Sequence, residues 1–280
     1  MELQEIRLSG FNRSSVIEII GFGDQHIGTL NCDLTAIKRT VKYILNTPNC
    51  YWVGIGDFFE CIPPSDKRWD SKTLPARHLK MQEQIPESEK EEFLELVSPI
   101  LTPAQDGGKC LGLHKGNHEY SLLNHYHRDL VYEITRDYGL KDLAAMAMTR
   151  LVFSRSKGDE RSIILHSQHG HGGGRKRGGK VNLLNELPAK FDADIYFMGH
   201  VHTIDCSEMI TIEMKGNLCE EWARERVAAT TGCYYRTYIG GTTNYAEKNS
   251  YDPTPLGSAK ASFAPWAKSE RLHIEKLWMP

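Results

Sequence analysis

Apolar residues fall along this chain in short runs, separated by stretches with helical spacing. SSVIEIIGFGD (14–24) reads as a strand running into a turn. Residues 33–46 put Leu34, Ile37, Val41, Ile44 and Leu45 on one helical face, with Asp33 placed to cap the first turn. YWVGIGD (51–57) predicts a second strand, 87–101 a helix, CLGLHKGNHE (110–119) a third strand and 121–138 a helix. RSIILHSQHG (161–170) predicts a fourth strand, 180–187 a helix and DIYFMGHVH (194–202) a fifth strand. This strand–helix alternation argues for an α/β layered fold.

After residue 202 the helical spacing disappears. SEMITIEMKGN, ERVAATTGCYYRTYIGG and RLHIEKLW read as strands, expected to form a second sheet packed on the first. The stretch 62–86 carries Pro63, Pro64, Pro75 and Pro86 among many charges and reads as a surface excursion. Residues 242–258 read as a polar loop. With no internal repeat, the chain (1–280) is expected to be one domain, with its motifs in 14–202 and further strands and loops in 203–280.

Composition excludes more than it selects. At 280 residues and 40% hydrophobic, the chain can bury a substantial core. No apolar run is long enough for a membrane span, and the N-terminus lacks a signal-peptide pattern, so a cytoplasmic location without membrane association is expected. Seven widely spaced cysteines without a C-x-x-C pair argue against both a disulfide framework and a thiolate zinc site. A net charge of −2 means that any nucleic-acid surface would be local.

The chemistry lies where the strands end. The five predicted strands finish in GDQHIG, GD, GNHE, HSQHGH and GHVH. In open α/β sheets, ligands bind beyond the carboxyl ends of the strands, so residues distant in sequence would meet in one pocket. Asp24, His26, Asp57, Asn117, a histidine after the fourth strand, His200 and His202 supply carboxylate, imidazole and amide donors. Such donors suit manganese, iron, nickel or zinc. If Asp57 is shared, two ions roughly 3.5–4 Å apart would acidify a water between them and clamp the oxygens of a phosphoryl transfer. Each glycine before a ligand permits a sharp turn. At the fourth position His166 and His169 compete, and the residue types alone leave the choice open. His171 reads as a loop residue.

These motifs resemble those of the calcineurin-like metallophosphoesterase superfamily, over about residues 23–202. The resemblance implies a four-layer α/β/β/α sandwich of two mixed sheets flanked by helices, with a centre of two divalent ions, manganese favoured. It implies that Asp24, His26 and His202 hold the first ion, that Asp57 bridges, and that Asn117, His169 and His200 hold the second. His118 would assist the leaving oxygen as a catalytic group, with Glu119 orienting it. GDFFE puts Glu60 where the Ser/Thr protein phosphatases have Asp and where purple acid phosphatases have Tyr. The GHVH ending looks more like the phosphodiesterase and nuclease branches, including phage and bacterial members.

The stretch HGHGGGRKRGGK (169–180) combines glycines with basic side chains, and Arg175 and Arg177 are candidate phosphate clamps. Tyr245 and Tyr251 could stack on a base or sugar. The expected activity is phosphodiester hydrolysis, with nucleic acid among the candidate substrates. The alternative is a phosphomonoesterase for a nucleotide or small metabolite. A catalytically silent scaffold is the reading from another class, and the full set of ligand types argues against it. A site capped by 62–86 and 242–258, as opposed to a long basic groove, would separate small substrates from polymers.

Overall fold

A computed structural model describes residues 1–66, 69–79, 85–172, 176–215, 220–241, 243–267 and 272–279. Its strands are β1 (Glu2–Ser9), β2 (Ile17–Phe22), β3 (Cys50–Gly54), β4 (Cys110–Leu113), β5 (Met146–Ser156), β6 (Asp159–Gln168), β7 (Ile195–Met198), β8 (Cys206–Lys215), β9 (Glu220–Thr230), β10 (Gly257–Phe263) and β11 (His273–Trp278). Its helices are α1 (Leu34–Asn46), α2 (Ala76–Leu79), α3 (Ile85–Val97), α4 (Asn117–Tyr126), α5 (Leu130–Tyr138), α6 (Arg177–Asn185), α7 (Leu187–Lys190) and α8 (Tyr245–Lys248).

The strands form two mixed sheets. One has six strands in the order β1-β5-β6-β7-β9-β8, the other five in the order β11-β10-β2-β3-β4. Side-chain alternation explains how they stack. In β2, Ile17 and Ile19 enter the core between the sheets, while Ile20 and Phe22 face the core under α1, α3 and α5. In β7, Ile195 and Phe197 join the same inter-sheet core, while Tyr196 and Met198 pack with Leu184 and Leu187 of α6 and α7. Strands buried on both faces read as continuous apolar runs, which is why the sequence shows them so clearly. Burying each such Ile or Phe stabilises the fold by roughly 1.5–3 kcal/mol. The result is an α/β/β/α sandwich.

Two expectations are corrected. The strands after residue 202 do not make a sheet of their own. β8 and β9 extend the sheet of β6 and β7, whereas β10 and β11 extend the sheet of β2, β3 and β4. The motif-bearing strands are divided the same way, so the site is gathered from two facing sheets and not along one. In addition, the helix expected over 121–138 is two. His127 ends α4 in a left-handed turn (φ 54°), and the Asp129 side chain caps α5 by accepting from Tyr132 N. No described helix is long and apolar enough to cross a membrane.

Candidate metal centre

The loop after β2 is tied to the loop after β3: Asp24 N donates to Gly56 O (2.8 Å), and Gln25 N and His26 N both donate to Asp57 O (2.8 and 3.1 Å). The start of α4 closes on the same place. His118 N donates to Asp57 Oδ1 (2.9 Å). Here Gly116 is required, because a Cβ on it would lie 2.1 Å from Asp57 Oδ1. From the other sheet, the loop after β7 brings His200 N onto the Asp24 carboxylate (3.0 Å).

The side chains then converge in two groups. In the first, His26 Nε2 is 3.0 Å from His202 Nε2, which is 3.2 Å from Asp24 Oδ1. In the second, Asn117 Oδ1 is 2.7 Å from His200 Nδ1 and 3.2 Å from His169 Nε2, and His169 Nε2 is 3.3 Å from Asp57 Oδ2. Asp57 also lies with His26 and His118 in a third cluster, so its carboxylate stands between the two groups.

The outer atoms fix which ring nitrogens face inward. His169 Nδ1 donates to Ile55 O (2.9 Å), leaving Nε2 toward Asp57 and Asn117, the atom that holds a proton or offers its lone pair to an ion. His26 Nδ1 meets Glu60 Oε2 (2.8 Å), leaving its Nε2 lone pair toward His202 and Asp24. Each group is therefore a set of acceptors aimed at a common point, an arrangement that costs free energy unless a cation or protons fill it. The donor set fits divalent metal.

Backbone strain marks the same residues. Asp24, His26, Asp57, His200 and His202 all have left-handed φ, between 48° and 70°. Each such conformation costs on the order of 1–3 kcal/mol for a non-glycine residue, and such costs concentrate at functional sites.

The electrostatics follow from burial and crowding. Burial works to raise the Asp57 carboxyl, but the His169, His118 and His26 imidazoles outweigh it and hold it well below its ordinary value. Burial pulls His169 down, but the Asp57, Asp24 and Glu119 carboxylates push it up to about 10. Burial lowers His26 despite Glu60, and lowers His200. Those two rings are held in the neutral form that binds metal.

His169 is at the cluster, whereas His166 is on the opposite face, stacked on Phe191 at 4.1 Å and pushed down to about 4 by burial. His171 is exposed. His118 packs edge-on to His26 (4.7 Å between ring centres), and its Nδ1 donates to Glu60 O (2.5 Å). Glu119 has another place than the one expected of it. Its carboxylate accepts from Gly116 N, Asp57 N and Phe58 N (2.8, 2.9 and 2.7 Å), so it holds the ligand loops together, and the group on His118 Nδ1 is the Glu60 carbonyl. Arg177 Nε donates to Asp205 Oδ1 (2.8 Å), and Arg177 does not line the cavity over the cluster. Arg175 lies outside the described residues.

Two site residues escaped the sequence reading. Glu60 carried a signal, an acid three residues after Asp57, but was read only as a departure from other families. Tyr235 carried none. Its ring packs 5.4 Å from His26 and 6.1 Å from His202, and the preceding Tyr234 N donates to Asp24 O (2.9 Å).

No protein-family model and no curated protein matches this sequence. Among solved structures, the chain is similar to a conserved uncharacterized protein described as a predicted phosphoesterase from Streptococcus pneumoniae TIGR4, at 12% identity, TM-score 0.36, over 95% of this chain and 91% of that one. It is also similar to Vps29 complexed with zinc from Entamoeba histolytica, at 10% identity, TM-score 0.33, over 93% of this chain and 99% of that one.

Proposed function

We propose that this chain is a metal-dependent phosphoesterase of the calcineurin-like kind, working with two divalent ions that share Asp57. The observation that supports this most is the pair of converging acceptor sets on strained backbone, joined by one carboxylate. Asp24, His26 and His202 would hold one ion, and Asn117, His169 and His200 the other. When bound, the ions supply Lewis acidity to the phosphoryl group and an acidified water as nucleophile. The chain's own residues do the rest. Glu60 anchors His26 through Nδ1 and, through its carbonyl, keeps the His118 proton on Nδ1. The Nε2 of His118 is then the atom that meets the leaving oxygen, stabilising its charge by hydrogen bonding when the ring is protonated. Glu119 keeps the loops of Asp57 and Asn117 in register.

Chelator-stripped protein, reloaded with manganese, iron, nickel or zinc, tests this on p-nitrophenyl phosphate and bis-p-nitrophenyl phosphate. Metal-dependent release of p-nitrophenol is expected, and the ratio of the two rates assigns monoester or diester preference. No hydrolysis of either ester with any of the four metals would sink the proposal.

A further inference from the structure

Above the candidate metal ligands lies a cavity of about 400 Å³, within the range of small-molecule sites. Its floor includes His26, Asp57, Asn117, His118, His200 and His202. Its roof is built from residues of 235–241 and 243–254 and from the excursion around Thr73. That roof is anchored. Asn244 is buried, donates from Nδ2 to Thr237 O (2.9 Å), and accepts from Glu247 N (2.8 Å) at the start of α8. Tyr238 Oη donates to Tyr251 O (2.7 Å), and Thr237 Oγ1 donates to Asp252 O (3.2 Å). Lys248 Nζ pairs with Asp70 Oδ2 (3.0 Å), joining the two roof segments, and Leu30 N donates to Thr73 O (2.7 Å), joining the roof to the loop of the first ligands.

The chemistry of the roof is polar, with one carboxylate, Asp252. Tyr235, Thr237, Asn244, Tyr251, Asp252 and Thr254 line it. Of the lysines and arginines among the described residues, only Lys180 lines the cavity. Among the described residues, Arg177 is paired with Asp205 and Arg236 with Asp33. A nucleic acid strand brings a charge with every phosphate and needs a basic groove that lets it pass through. Hydroxyls, an amide, a carboxylate and the edge-on pair Tyr245–Tyr251 (6.2 Å between ring centres) instead suit a single hydroxylated ring carrying one planar group.

We propose that the cavity-lining residues of 235–241 and 243–254 form a specificity wall for a compact phosphoester of mononucleotide size, and that polymer strands are excluded. This rests on the phosphoesterase reading above. In use, the phosphoryl group would lie at the floor of His26, Asp57, His200 and His202, with the sugar and base under Tyr245 and Tyr251.

The test uses the full chain loaded with manganese. The substrates are adenosine 5′-monophosphate, adenosine 2′,3′-cyclic phosphate and a 20-nucleotide single-stranded DNA, with p-nitrophenyl esters as size-neutral controls. A kcat/KM for at least one of the adenosine compounds about 100-fold or more above that for the DNA is expected, as for a site built around one ligand. Tyr251→Ala should raise the adenosine compound's KM about tenfold, the loss of one stacking contact, with a smaller change in kcat. Lys248→Ala, which unlatches the roof, should shift the ratio toward DNA. DNA cleaved as efficiently as the adenosine compounds, or an adenosine KM unmoved by Tyr251→Ala, would overturn the wall. Calorimetric binding of adenosine 5′-monophosphate separates the two claims. Binding weakened by Tyr251→Ala without hydrolysis of any ester would remove the phosphoesterase reading and keep the wall. Hydrolysis of p-nitrophenyl esters without size preference would do the reverse.

Discussion

The floor and the roof of the cavity are made by opposite means. The floor is buried, crossed by hydrogen bonds between loops of both sheets, and carries left-handed backbone at four of its residues, His26, Asp57, His200 and His202. The roof is polar and partly exposed, with Tyr245 and Tyr251 about 38% and 41% accessible, and it holds together through a few side-chain bonds and one surface ion pair. The floor is specified by chemistry that tolerates little variation. The roof is specified by shape, and its residue types are ones found in any loop. Reaction type should therefore reside in the floor and substrate size in the roof.

The division breaks most visibly at Asp57. Asp57→Asn should lower kcat/KM on the order of a thousandfold while the thermal melt of the chain stays cooperative. Activity within tenfold of the parent would mean that no shared carboxylate is needed. Next comes His118→Asn, expected to lower kcat roughly 100- to 1000-fold with metal content unchanged by elemental analysis. Loss of metal in that variant would make His118 a ligand instead.

Acidity gives a third effect. In the metal-free chain the His169 imidazole is pushed up to about 10 by the Asp57, Asp24 and Glu119 carboxylates, so at neutral pH it carries a proton. An incoming ion must displace that proton, and affinity should rise with pH by about tenfold per unit up to that value. Titration calorimetry in buffers of different ionisation enthalpy would detect the released proton. Affinity flat between pH 6 and 8 would contradict the sign. Glu60→Gln should weaken the ion held by His26 by about 10- to 100-fold and leave the other ion in place, as metal titration would reveal. The smallest effect belongs to the roof. Lys248→Ala breaks an exposed ion pair and should cost under about 1 kcal/mol of stability, within error of a denaturant melt, while altering size selection.

The same contrast explains what the sequence could say. The strands β2, β3 and β7 are buried on both faces, so their residues form apolar runs that end in ligand motifs. β1, with Glu2, Gln4, Glu5 and Arg7 on an edge, and β10, built from Gly257, Ser258, Ala259 and Ala261 between two neighbours, carry no such run and went unread. Which sheet β8 to β11 would join was not legible either, because a strand's own pattern does not name its partner. At the site, D-x-H, GD, GNHE and GHVH pointed to residues that the fold gathers into one cluster. The choice of His169 over His166 came from the resemblance's histidine–glycine pattern; β6 ends at Gln168, so His169 lies in the loop beside Asp57 and Asn117. Tyr235 reaches the cluster only through the pairing of the 231–237 segment with the first ligand loop, a tertiary contact with no local signature.

The central claim is that two ions share one carboxylate. Electron paramagnetic resonance on the manganese-loaded chain, with metal content measured on the same sample, tests it most directly. Two manganese ions per chain and the spectrum of a coupled pair are expected, replaced by that of isolated ions in Asp57→Asn. One ion per chain, or two without coupling in the parent, would contradict it.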